Sequence, residues 1–140
     1  MYRILVVDDE RSIQDLLKRC LEDEGYLVIT TDKGQTALNW IKEVRLDLAI
    51  VDLGLPDMSG MDVCKAMKED PKARITPIVI LTGNGTNEAR IESTEDADAE
   101  LFLNKPISTE DLRKAVKMIF EKSEKKRILL RTSLKSRLEP

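Results

Sequence analysis

A chain of 140 residues is long enough for one domain with a proper core, and its 41% hydrophobic and 35% charged residues fit a soluble globular protein. No apolar run approaches the roughly 20 residues that span a bilayer, and the N-terminus lacks a signal-peptide pattern, so no membrane partner and a cytoplasmic location are expected. The chain has no histidine, which excludes histidine acid–base chemistry, histidine metal ligation and a phosphohistidine role, and its net charge of −3 is uneven: residues 121–140 hold seven Lys/Arg against three Asp/Glu.

The first strand is expected at Arg3–Val7, where "ILVV" runs directly into the acids Asp8, Asp9 and Glu10. Like charges at a buried strand end repel and need a positive partner. A helix follows, because Ile13, Leu16, Leu17, Cys20 and Leu21 recur with helical spacing, and Gly25 is placed to end it. A second strand at Tyr26–Thr31 leads to a short helix marked by Ala37, Leu38 and Ile41 and containing the only tryptophan, Trp40. The third strand, Asp47–Asp52, precedes the turn "LGLPDMSG" and a helix marked by Val63, Cys64 and Met67 that stops before Pro71. Cys20 and Cys64 sit at apolar helix positions, as buried reduced thiols would.

The fourth strand is expected at Pro77–Thr82. Residues 83–100, "GNGTNEARIESTEDADAE", are predicted as a helix and as the least stable element, since only Ala89, Ile91, Ala97 and Ala99 are apolar. The fifth strand, Leu101–Asn104, is followed at once by Lys105 and Pro106. Ser108 to Asp111 resemble a capping box, with Asp for the usual Glu, and open a last helix striped by Leu112, Ala115, Val116, Ile119 and Phe120. Residues 1–121 make the expected domain. The basic tail, 122–140, carries Leu130, Leu134 and Leu138 at spacing four, and would prolong that helix, form its own amphipathic helix or serve as a linker. It lacks aromatics and any DNA-reading motif, so nucleic acid is not an expected partner.

Strands alternating with helices, several of them apolar throughout, imply an α/β fold with a parallel sheet covered on both faces. Ligands of such sheets bind at the carboxyl ends of the strands. There stand Asp8, Asp9, Glu10, Asp52, Thr82 and Lys105. Carboxylates without nearby histidine or thiol suit Mg²⁺, which takes one or two of them and welcomes phosphate oxygens. Lys105 and Thr82 add a cation and a hydroxyl for a phosphoryl group. Asp52 can itself be the nucleophile, with the Gly54 carbonyl in the turn beside it. Taken singly, each feature has a plainer reading. Capping explains "DDE" as well as metal does, and Asp52 alone is a turn residue. Thr82 alone is a strand residue, and Lys105-Pro106 a strand exit. Their joint occurrence at four strand ends favours a site.

The segments "VVDDE", "AIVDLGLPDMSGMDVC", "PIVILTG" and "LFLNKP" together resemble the receiver domain of bacterial response regulators, the CheY-like superfamily, over roughly residues 2–121. The resemblance implies a doubly wound, flavodoxin-like (βα)5 three-layer sandwich with strand order 2-1-3-4-5. It implies Mg²⁺-dependent transfer of phosphate from a sensor histidine kinase or a histidine phosphotransfer protein, with Mn²⁺ as a substitute ion. By position, Asp52 would be the phosphoacceptor; Asp9, Asp52 and the Gly54 carbonyl would ligate the metal, and Asp8 would act through water. Thr82 and Lys105 would bind the phosphate, Phe102 would be the switch aromatic, and Gly83 and Pro106 would support them, with Lys105–Pro106 cis. Glu10 is left to helix capping and solvent. A downstream protein would read the face made by the fourth helix, fifth strand and fifth helix, and a phosphorylation-dependent homodimer is a further expected form. Two departures, Gly83 where Ala is frequent and Asp98-Ala99 where Gly-Ala is frequent, make that face atypical. A haloacid-dehalogenase-type phosphatase would need an acid at position 54, which is Gly54, and a flavodoxin would need a phosphate loop where "DDE" stands. A receiver-like module that only binds proteins would have lost an Asp or the Lys, and neither is lost.

Overall fold

β-Branched and leucine side chains suit a pleated surface that is packed on both sides, and the apolar runs of this chain form five strands. In the computed structural model, which describes residues 1–83 and 99–138, these are β1 (Arg3–Val7), β2 (Leu27–Thr31), β3 (Leu48–Asp52), β4 (Ile78–Thr82) and β5 (Leu101–Asn104). They pair in parallel in the order β2-β1-β3-β4-β5, as the resemblance implies. The second, third and fourth strands begin one residue later than expected.

Alternation along each strand builds two cores. Ile4, Val6, Ile50, Val79 and Leu81 face α1 (Arg11–Asp23) and the C-terminal helix (Thr109–Leu138). Leu5, Val7, Val51, Ile78 and Ile80 face α2 (Gly34–Glu43) and α3 (Gly60–Glu69). Burying one such side chain contributes about 1.5–3 kcal/mol. Cys20 lies in the first core and Cys64 in the second, both free and separated by the sheet.

α1 ends as expected. Gly25 has φ 91°, the Gly25 N–H donates to the Glu22 carbonyl at 2.9 Å and the Tyr26 N–H to the Leu21 carbonyl at 3.2 Å, a Schellman motif. Leu16, expected on the buried stripe, is 39% exposed instead. The stripe centres on Leu17, Cys20 and Leu21, and Leu16 stands about 100° around the helix from Leu17. The Ser108 hydroxyl accepts the Asp111 N–H at 3.2 Å, as its capping role predicts.

The C-terminal helix runs 30 residues without a break, so the tail prolongs it. Its burial ends at Phe120, whose ring stacks on Tyr2 at 4.1 Å and meets Tyr26 edge-on at 5.1 Å. The helix predicted within residues 83–100 falls on 84–98, outside the described residues. Among the described residues, no helix is long and apolar enough to cross a membrane.

Candidate functional site

The parallel register brings the strand-end residues into one row. Val7 lies opposite Val51, so Asp8 follows β1 beside Asp52, the last residue of β3. Asp52 lies opposite Leu81, one short of Thr82, and Thr82 lies opposite Asn104, one short of Lys105. The Lys105 N–H donates to the Thr82 carbonyl at 2.9 Å, which fixes the lysine's backbone to the end of β4. The Lys105–Pro106 peptide is cis.

The positive partner of the acids is Lys105. Its Nζ lies 2.9 Å from Asp8 Oδ2, 3.1 Å from Glu10 Oε1 and 3.2 Å from Asp52 Oδ2. Asp8 is fully buried, and Asp52 and Thr82 are nearly so. The Asp8 Oδ1 atom accepts the Glu10 N–H at 2.9 Å, and Asp52 Oδ1 accepts the Gly54 N–H at 3.3 Å. Burial raises the Asp8 carboxyl above its ordinary range; the Glu10 N–H and Lys105 oppose that rise, and the Asp52 charge adds to it. Burial works to lower the Lys105 ammonium, but Asp8, Glu10 and Asp52 together hold it above the usual lysine value. It therefore stays charged throughout the physiological range.

Glu10 is more than a capping residue. It occupies the N-cap position of α1, yet its side chain makes no capping hydrogen bond and turns to Lys105 instead. The charge of a deeply placed ammonium draws it more strongly than the backbone donors of a helix end. Asp9 is exposed beside these two, and Asp8, Asp9 and Glu10 each offer an oxygen within 4.8 Å of the others. Phe102 is half-buried against the core on the α2–α3 side, and Gly83 follows Thr82 at a position where a Cβ would meet none of the described residues within 4 Å.

The loop after Asp52 is held from both sides. Gly60 opens α3 so close to β3 that a Cβ there would lie 2.1 Å from the Asp52 carbonyl oxygen, so only glycine fits. Asp57 reaches back to the first turn of α2, where its two oxygens accept the Gly34 N–H at 2.8 Å and the Gln35 N–H at 3.0 Å. Those bonds hold the Asp57 carboxyl below the ordinary aspartate range. Nothing in the local pattern of "LPDMSG" announces this clamp, because its partners lie more than 20 residues away.

This donor set suits a hard divalent cation. Its ligand atoms are carboxylate oxygens. The buried Asp8 Oδ2 has the Lys105 charge nearby but receives no hydrogen bond of good geometry. Three carboxylates contact the Lys105 ammonium and Asp9 stands beside them, so an incoming anion needs a further positive charge.

Comparison with known proteins gives one consistent answer. The family model for the response regulator receiver domain matches residues 4–117. The alkaline phosphatase synthesis transcriptional regulatory protein PhoP of Bacillus subtilis is 36% identical over 122 residues, covering 87% of this chain and 50% of that protein. The transcriptional regulatory protein CpxR of Escherichia coli is 33% identical over 123 residues, covering 88% and 51%. The chain thus spans about half the length of these relatives. The Vibrio cholerae chemotaxis protein CheY4 superposes with a TM-score of 0.80 at 32% identity, over 85% of this chain and 98% of that one. The receiver domain of sensor histidine kinase PA1611 from Pseudomonas aeruginosa, solved with a magnesium ion coordinated in its active-site cleft, has a TM-score of 0.77 at 26% identity, over 84% of this chain and 95% of that one.

Proposed function

The chain belongs to the response regulator receiver family, and on that premise we propose that Asp52 is the residue that takes the phosphoryl group. The observation that carries this is the Lys105 ammonium held among Asp8, Glu10 and Asp52 at adjacent strand ends. An Asp52 oxygen attacks the phosphorus of a phosphohistidine on a sensor kinase or phosphotransfer protein. The P–N bond breaks, a mixed acyl phosphate forms, and the imidazole leaves. Asp9, Asp52 and the Gly54 carbonyl would hold Mg²⁺, or Mn²⁺ in its place, with Asp8 acting through water. Bound there, the ion neutralises charge on the transferring group.

The aspartyl phosphate carries about two negative charges where the carboxylate carried about one. Lys105 then exchanges carboxylate partners for phosphate oxygens, and Thr82 donates its hydroxyl to another. Gly83 lets the loop after β4 follow Thr82, Pro106 keeps Lys105 directed at the site, and Phe102 turns as Thr82 moves. A minor conformation becomes the dominant one. The chain is a signalling switch that assists its own phosphorylation and dephosphorylation, placed in the cytoplasm, with residues 1–121 as its receiver unit. Its downstream reader meets the face of the predicted fourth helix, β5 and the C-terminal helix, and a phosphorylation-dependent homodimer is one form that reading takes.

Incubation with acetyl phosphate and Mg²⁺, followed by intact mass measurement, tests this. The wild type should gain one phosphoryl adduct that Asp52→Ala lacks. An unmodified wild type counts against the switch, and an adduct on the variant removes Asp52 as the acceptor.

A further inference from the structure

The apolar face of the C-terminal helix does not stop where the domain stops. Five turns of an α-helix take about 18 residues, and at that interval the buried Leu112, Val116 and Phe120 are followed by Leu130, Leu134 and Leu138. The later leucines therefore stand on the helix face that packs on the sheet, about 27 Å further along the axis. Among the described residues no strand reaches there, and the three are 65%, 57% and 82% exposed.

What stands opposite is the base of the domain, where the strands begin and which lies away from Asp52. Between the overhanging helix and this base is a groove of about 550 Å³, walled by Phe120 and Leu130 on one side and Ile75 on the other. Ile75 is itself 75% exposed. The groove is predominantly basic. Arg45, Lys68, Lys72, Arg74, Lys126 and Arg127 line it, while its two acids are engaged, Asp47 by the Arg3 N–H at 2.8 Å and Glu100 by Lys122 at 3.8 Å.

We propose that this notch is a docking site for an acidic amphipathic helix of a partner protein. The partner's apolar stripe would cover Leu130, Leu134 and Ile75, and its carboxylates would meet Arg45, Lys72 and Arg74. Shape and charge select this occupant. Two basic overhangs would repel one another. Leu130 shares the notch with Phe120 and Ile75, an inside corner that a flat bilayer cannot enter. A nucleic acid would leave them uncovered, with no aromatic on the overhang to stack its bases. The surface is separate from the phosphoryl site, so each is tested without the other.

The test uses the whole chain and a fluorescent helical peptide of about 16 residues, with leucines at i, i+3, i+4 and i+7 spacing and glutamates elsewhere. Anisotropy titration should show saturable binding that weakens at high salt. Leu130→Glu with Leu134→Glu, and separately Lys72→Glu with Arg74→Glu, should each weaken it by tenfold or more, while phosphoryl uptake stays at the wild-type level. A peptide with lysine for glutamate should fail on the wild type and bind the Lys72→Glu, Arg74→Glu variant. All the replaced side chains are exposed, and circular dichroism checks their folding. Absence of saturation, equal binding of the lysine peptide to the wild type, or unchanged binding by either double variant overturns the proposal. So does a concentration-dependent dimer, or flotation with phosphatidylglycerol vesicles, that the leucine variant abolishes.

Discussion

A carboxylate at the end of a buried strand has lost its water, and Asp8 shows the consequence: burial raises its pKa although Lys105 lies 2.9 Å away. A raised pKa means that the folded state holds the proton more readily than the unfolded chain. The group's contribution is therefore greatest below the ordinary aspartate pKa of about 3.9 and is lost as pH rises through the raised value. Without Mg²⁺ near neutral pH, Asp8→Asn should raise stability by about 1–2 kcal/mol, the scale of a desolvated and incompletely bonded charge. It should also weaken stabilisation by Mg²⁺; urea denaturation with and without the ion measures both. Asp57 has the opposite sign. Its carboxyl is held low by the Gln35 and Gly34 N–H groups, so its contribution is present above the ordinary aspartate pKa and is lost as pH falls through the depressed one. Asp57→Ala should lower the urea midpoint at neutral pH, and the difference from wild type should shrink in acid.

The elements differ in what sets their ends. α1 needs only its own residues, since Gly25 and the carbonyls of Leu21 and Glu22 complete its cap. α3 has its own Ser59 cap, accepting the Met61 N–H at 3.1 Å, but its first residue is pressed against β3. Gly60→Ala must displace either the Asp52 carbonyl or the helix, and should cost about 2 kcal/mol or more as well as slow phosphoryl uptake, because Asp52 moves with its backbone. Thermal denaturation and the acetyl phosphate assay read the two effects. α3 also carries Cys64, whose thiol is pushed up to about 12 by burial. It should stay unreactive to a thiol reagent at neutral pH until the protein is unfolded in urea.

For the whole molecule, stability is concentrated at one end of its longest helix. Leu112, Val116, Ile119 and Phe120 are buried, whereas from Glu121 to Leu138 only Ser123 is even half-covered. Amide hydrogen exchange should therefore be slow through Phe120 and accelerate beyond Ser123, although the helix is continuous. Uniform protection to Leu138 in the free chain would mean that something already covers the overhang.

The strands and the residues of the strand-end row were legible in the sequence, and their order was implied only by the family resemblance. Near-continuous apolar runs with polar residues at their ends are local patterns, whereas the register of the sheet came only with the structure. What the local pattern could not decide depends on groups distant along the chain. Leu16 fits the helical period but misses the buried face, since the width of that face is set by what packs on it. Glu10 looks like a cap, but 95 residues later comes the ammonium that takes its carboxylate. Asp57 binds α2 from 23 residues away. The last helix shows how far a stripe can mislead. Leu130, Leu134 and Leu138 repeat the spacing of a buried face, and the sequence by itself determined that spacing while leaving open whether the tail continues the helix. Only the tertiary structure decided that the sheet ends first, because burial is a property of the whole fold and not of any helix within it.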